Sequence, residues 1–209
     1  LTILDTWQTP TIVVENGAGG RTLINGGGSL RSFDRGESVV LPYLRHRGIR
    51  ALDKILVTDT STANLISVRT VVEGLHELPA SGNPRSDSLP LPGADQITPF
   101  CKLKIAGTGL ALLLGNGAVQ SLGSKVQKCD ILIIGWQFAD TTQLQRLVPM
   151  FQPETIIVAT YPSRYAKPSL LGDLRARFPG VAIHSTRDEG AITVRISEDS
   201  YHVLAMSNG

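Results

Sequence analysis

Residues 54–75 constrain the fold of this chain more than any other stretch. Lys54 to Asp59 reads as a buried strand around the continuous apolar run Ile55-Leu56-Val57. It runs into a polar segment, Thr58-Asp59-Thr60-Ser61-Thr62-Ala63-Asn64. A helix follows, with Leu65, Val68, Val72 and Leu75 in an i, i+3, i+7, i+10 stripe. The same grammar returns twice. Residues 130–134 form a second apolar run, followed by a helix that starts near Asp140, where Asp140 and Gln143 are spaced as a capping pair. That helix carries Leu144, Leu147, Val148 and Phe151. Residues 155–160 form a third run, followed by a helix over 169–178 opened by Pro168. Short buried strands interleaved with amphipathic helices imply an α/β fold with two sheets covered by helices.

The remaining segments fit that frame. Residues 1–5, 11–15 and 21–24 are short β-like runs separated by Gly and Pro. A helix is expected over 37–47, with Pro42 in its first turns and Gly48 as its stop. Residues 79–95 hold four prolines and three serines and read as an irregular surface loop. Residues 100–106 and 110–114 flank Gly107-Thr108-Gly109 as a tight hairpin. Strands at 181–184, 191–196 and 201–206 close the chain. No internal repeat is visible.

Length and composition narrow the possibilities. At 209 residues the chain suits one large domain or two small ones, and a core of that size needs no disulfide or metal staple. A net charge of +2 does not by itself indicate a nucleic-acid binder. Cys101 and Cys129 match no metal spacing and read as two small buried hydrophobes, with a single disulfide as the alternative. His46, His76, His184 and His202 form no H-x-H or H-x3-H pair, which argues against a histidine-rich zinc site. No apolar run is long enough to span a membrane, and no stretch of the given sequence reads as a signal peptide. The chain opens directly in a strand-like run at Leu1 and reads as one domain excised from a longer protein. Gly26-Gly27-Gly28 lacks the Lys and Ser/Thr of a phosphate-binding loop and reads as a tight turn. No G-x-S-x-G elbow occurs, which removes one class of serine hydrolase.

Several phrases, in order, are similar to one family. Leu4-Asp5-Thr6-Trp7-Gln8-Thr9-Pro10 is similar to L-D-V-G-Q-G-D, and Leu23-Ile24-Asn25-Gly26-Gly27 to L-I-D-G-G. Val40-Leu41-Pro42-Tyr43-Leu44-Arg45 with Arg47-Gly48-Ile49 resembles V-L-P-Y-L-R-x-R-G-I. Thr186-Arg187-Asp188 with Gly190-Ala191-Ile192-Thr193-Val194 resembles T-x-x-x-G-A-I-T-V. Together they resemble the C-terminal metallo-β-lactamase-like domain of the ComEC family of DNA-uptake channel proteins, over nearly the whole chain. The resemblance implies a metallo-β-lactamase-like αβ/βα four-layer sandwich, in which loops at one sheet edge gather two metal ions that activate a water against a phosphodiester. It also implies a domain on the periplasmic side of a bacterial inner-membrane protein. The implied partners are single-stranded DNA, the membrane channel of the same polypeptide and other competence proteins.

Carried across residue by residue, the family's metal site is missing. The H-x-D-x-D-H slots hold Asp59, Ser61, Ala63 and Asn64. The carboxylate of G-D becomes Asn116, the P-H-H-G phrase becomes Gly135-Trp136-Gln137-Phe138, and the late H-P becomes Lys167-Pro168. The aspartates of L-I-D-G-G and G-Q-G-D become Asn25 and Pro10. Zn²⁺ and Mn²⁺ need imidazole or carboxylate donors, and of these slots only Asp59 offers one. The expectation is a domain with no metal cofactor and no hydrolytic activity.

Asp59 reads more simply as a carboxylate accepting loop N–H bonds than as a relic ligand or a new general base. By the resemblance Trp7 and Trp136 fall on loops rimming the cleft. Plain packing is the first reading for both, ahead of plugging the vacated space or stacking on bases. Arg45, His46, Arg47 and Arg50 form a basic helix end suited to the helix dipole. Arg164 and Lys167, with Tyr161 and Tyr165 interleaved, form the best candidate for contact with a single strand of DNA. Two alternatives stand beside the inactive DNA-handling domain. One is a nuclease with a rebuilt site drawn from Asp59, Asp140, His184 and Asp188. The other is a purely structural interaction domain.

Overall fold

A computed structural model describes residues 1–6, 9–30, 33–75, 94–97, 100–115, 118, 122, 127–159, 170–198 and 200–205. Its first half supplies strands β1 (Thr2–Leu4), β2 (Thr11–Glu15), β3 (Arg21–Ile24), β4 (Ser29–Leu30), β5 (Phe33–Asp34), β6 (Lys54–Val57) and β7 (Ala94–Ile97). Its second half supplies β8 (Phe100–Ile105), β9 (Thr108–Leu113), β10 (Ile131–Gly135), β11 (Thr155–Ala159), β12 (Ala182–Ser185), β13 (Ile192–Ile196) and β14 (Tyr201–Ala205). The helices are α1 (Leu41–His46), α2 (Thr62–Leu75), α3 (Thr141–Phe151), α4 (Leu170–Arg177) and the single turn α5 (Thr186–Glu189).

The strands build two large mixed sheets. One runs β14-β13-β1-β2-β3-β6-β7, the other β12-β11-β10-β9-β8, and β4 and β5 form a separate hairpin. Side-chain alternation decides what each face does. Leu110, Leu112, Ile131 and Ile133 join Ile3, Ile12, Ile24 and Leu56 in one cluster shared by the two sheets. The intervening Ala111, Leu113, Leu132 and Ile134 face the other way and pack with Leu144, Leu147 and Phe151 of α3 and Leu174 of α4. On the first sheet, Leu4, Val13 and Leu23 pack with Leu41, Leu44 and Val71 of α1 and α2. Strands buried on both faces are therefore apolar at nearly every position, as in the five-residue β10, whose residues are all buried. Phe151, with no exposed surface, contributes up to about 3 kcal/mol by burial.

The two sheets share a direction. Tyr201, at the start of β14, hydrogen-bonds through its hydroxyl to Thr155 Oγ1 at the start of β11 (2.9 Å). The β8–β9 turn lines one cavity of about 910 Å³ with Glu15, Asn16 and Gly17, between β2 and β3. Hence β3, β6, β9, β10 and β11 all begin near one edge. Their C-terminal ends, with that of β12, gather at the opposite edge.

The general α/β expectation holds, with local corrections. The helix expected over 37–47 is a π-helical turn, Gly36–Val40, running into α1. Gly48 stops it at φ 68°. The hairpin turn falls on Ala106-Gly107, both at positive φ, so Thr108 and Gly109 already belong to β9. The expected surface loop over 79–95 lies outside the described residues, except that 94 and 95 belong to β7. The β4–β5 hairpin and α5 carry too short a pattern to be seen in advance.

Both cysteines are free. Cys101 packs toward the space between the sheets, whereas Cys129 packs on the helical side of the second sheet. The disulfide alternative is therefore not formed. Burial, with Asp130 close by, pushes the Cys129 thiol up to about 12.

Candidate functional site

The edge where the parallel strands end contains one closed polar network. It is built by Asn25 after β3, Thr58 and Asp59 after β6, Asn64 in the first turn of α2, and Thr9 and Pro10 before β2. Asn25 and Asn64 are fully buried, and Thr9 and Thr58 nearly so. Buried amides are costly unless their donors and acceptors are paired.

Here the pairing is reciprocal. Asn25 Nδ2 donates to Pro10 O (2.9 Å) and to Thr58 Oγ1 (2.7 Å). Asn25 Oδ1 accepts from Thr58 N (2.9 Å) and from Asn64 Nδ2 (3.2 Å). Asn64 Nδ2 also donates to Asp59 O (2.6 Å), and Asn64 Oδ1 accepts from Gly26 N (2.8 Å). Asn25 sits at φ 61°, a left-handed conformation that Asn tolerates better than most residues. The next residue must be glycine, because a Cβ on Gly26 would lie 2.3 Å from Val68 N in α2.

Asp59 stands at the mouth of this network, half-buried. Its carboxylate accepts from Ser61 N (3.0 Å), Ser61 Oγ (2.9 Å) and Thr9 Oγ1 (3.3 Å). Ser61 Oγ also accepts from Asn64 N (3.3 Å). The structure thus gives Asp59 the loop-bracing role that the sequence favours. Ser61 is exposed and Ala63 half-buried.

On the second sheet the same edge is built differently. Gln137 folds back over Gly135 and donates through Nε2 to Leu114 O (2.9 Å), tying the ends of β9 and β10. Phe138 turns into the core, whereas Trp136 stays 42% exposed. Plain packing, the first expectation for Trp136, is corrected: the short 3-10 turn Trp136–Phe138 points one aromatic ring inward and leaves the other outside. Trp7, Asn116, Arg164, Tyr165 and Lys167 lie outside the described residues, as does Tyr161.

No protein-family model matches this chain. A search of curated proteins likewise returns no match.

Among the described residues, the donor set around Asp59 does not fit a pair of divalent cations. Around Asp59 the buried side chains are amides and hydroxyls, and both asparagine amide groups donate all their hydrogens within the protein. Among the described residues no three His, Cys, Asp or Glu side chains form a group able to hold a metal ion.

The residues of the rebuilt-site alternative each have other employment. Asp140 caps α3 by accepting from Gln143 N (2.9 Å), as its spacing predicts. His184 Nδ1 lies 2.8 Å from Glu189 Oε2. Asp188 meets Arg187 at 3.9 Å. In the basic helix end, Arg45 donates to Gly74 O (3.1 Å) at the last turn of α2, and Arg47 pairs with Glu15. Arg45 and His46 lie in the last turn of α1, where a positive charge suits the helix dipole, and Arg45 also caps the last turn of α2.

Reading the sequence slot by slot missed that Asn25 and Asn64 are each other's partners. It also missed Thr9, Thr58 and Glu189. The available signal was that three slots of the family pattern, at residues 25, 64 and 116, all hold asparagine.

Proposed function

We propose that this chain is a catalytically inactive, metal-free metallo-β-lactamase-like domain of a ComEC-type DNA-uptake protein, which binds or guides a DNA strand or braces the channel. The observation that carries the reading is the Asn25–Asn64 network. It occupies the edge at which two facing sheets, with helices packed on their outer faces, bring together the strand ends that bear metal ligands in the active fold. A chain that replaces imidazoles and carboxylates with mutually saturated amides keeps the architecture and loses the means to activate water. Exposed Trp136 at the same edge supports a role in handling single strands, because every base offers a face for stacking. Its place in a larger membrane protein, on the periplasmic side, belongs to the same proposal. Among the described residues no helix is long and apolar enough to cross a membrane.

The test is fluorescence anisotropy of a labelled single-stranded oligonucleotide titrated with this protein, at low and moderate salt, with and without Mn²⁺. Metal-independent binding that weakens with salt is expected. No binding at either salt defeats the DNA role and leaves the structural one. Binding or cleavage that appears only with Mn²⁺ shows that the site has been misjudged.

A further inference from the structure

Two of the chain's Asn-Gly pairs lie among the described residues, Asn16-Gly17 and Asn25-Gly26, and the structure places them in opposite chemical situations. Asn-Gly is the dipeptide in which backbone attack on the side-chain amide is least hindered, because glycine has no Cβ to obstruct it. The backbone nitrogen of the glycine loses its proton to hydroxide and attacks the asparagine Cγ. The new C–N bond closes a succinimide as the Cγ–Nδ2 bond breaks and ammonia leaves. Water then opens the ring to aspartate or isoaspartate.

We infer that Asn16-Gly17 is a deamidation site of this protein, and that Asn64 acts as a guard that keeps Asn25-Gly26 from the same reaction. Asn16 and Gly17 are exposed in the turn between β2 and β3. Gly17 N–H has no acceptor among the described residues, and nothing lies within 4 Å of the place where its Cβ would be. The restraints there fall on Asn16: its Oδ1 accepts from Gly20 N (2.7 Å), its N donates to Gly20 O (3.0 Å) and its O accepts from Gly19 N (3.0 Å), which leaves Gly17 N and Asn16 Nδ2 free of acceptors among the described residues. At Asn25 every reacting group is held. The nucleophile, Gly26 N, donates its hydrogen to Asn64 Oδ1 (2.8 Å). The leaving nitrogen, Asn25 Nδ2, donates to Pro10 O and Thr58 Oγ1. Both asparagines are inaccessible to hydroxide and water. Reaction at Asn25 therefore requires local opening first, and its rate falls in proportion to the open population.

The guard matters because the product does not fit. A carboxylate at position 25 cannot donate to Pro10 O, and among the described residues its hydrogen-bond partners include no cation to balance the charge. The inference needs only the hydrogen bonds and burial described here, and it stands whether or not the proposed function does.

The test is incubation of the native protein at pH 8.5 and 37 °C, with peptide mapping by mass spectrometry over days. The expected result is amide-to-acid conversion at Asn16 with Asn25 intact, the rates differing by more than about tenfold. In concentrated urea the two peptides should convert at similar rates. Asn64→Ala, checked for folding by circular dichroism, should raise conversion at Asn25 and leave Asn16 unchanged. Equal native rates at the two sites, or an Asn64→Ala protein that still protects Asn25, overturns the inference.

Discussion

The loops after β6 and β10 follow similar apolar strands and lead into similar helices, yet they end in opposite physical states. After β6 the polar side chains Thr58 and Asn64 turn inward onto Asn25, which follows β3, and all three are buried, while Asp59 braces the turn above them. After β10 one glutamine ties the strand ends together and a tryptophan is left in solvent. The difference shows two ways of ending a strand at the same sheet edge. One loop becomes part of the folded interior, and the other becomes surface. Stability should therefore be concentrated in the first loop, and any retained binding in the second.

Breaking the contacts that hold the first loop to the end of β3 should have the largest effect. Asn25→Ala leaves Pro10 O, Thr58 N and Asn64 Nδ2 without their partner and strains a position at positive φ. A loss of about 3–5 kcal/mol is expected in urea denaturation. Gly26→Ala forces α2 away from β3, because the added methyl would meet helix backbone rather than a movable side chain. About 3 kcal/mol is expected from the same measurement. Asp140→Ala removes only a helix cap beside the second loop and should cost about 1 kcal/mol. Trp136→Ala sharpens the contrast from the other side: stability should change by less than about 0.5 kcal/mol. Oligonucleotide affinity, if the proposed function holds, should fall at least about fivefold.

One further effect shows only at high pH and is the smallest near neutrality. The folded protein holds the Cys129 proton up to about 12, whereas the unfolded chain releases it near 9.0. The unfolded state thus binds fewer protons between those values, and stability falls as pH rises through that window. Tyr201 and Cys101, both raised by burial, add in the same direction. Cys129→Ala should make the decline in melting temperature shallower without abolishing it.

The alternation of strands and helices was legible because burial on two faces demands unbroken apolar runs, and residues 55–57, 131–134 and 155–159 have them. The cap at Asp140 was legible because its partner is local. The network around Asn25 was not, because its partners lie 15, 33 and 39 positions away, and only the folded sheet brings them together. The exposure of Trp136 was hidden for a similar reason. A three-residue turn decides which of two neighbouring aromatics, Trp136 or Phe138, faces the core, and no periodicity operates over so short a span.

The central claim is that hydrogen-bonded amides hold this edge closed with no need of a metal. Thermal unfolding of the protein in EDTA, then with excess Zn²⁺ or Mn²⁺, tests it most directly. A ligand that binds only the folded state raises the melting temperature in proportion to its occupancy. The account predicts melting curves that coincide in the three conditions. A rise with metal that disappears in Asp59→Ala would contradict it.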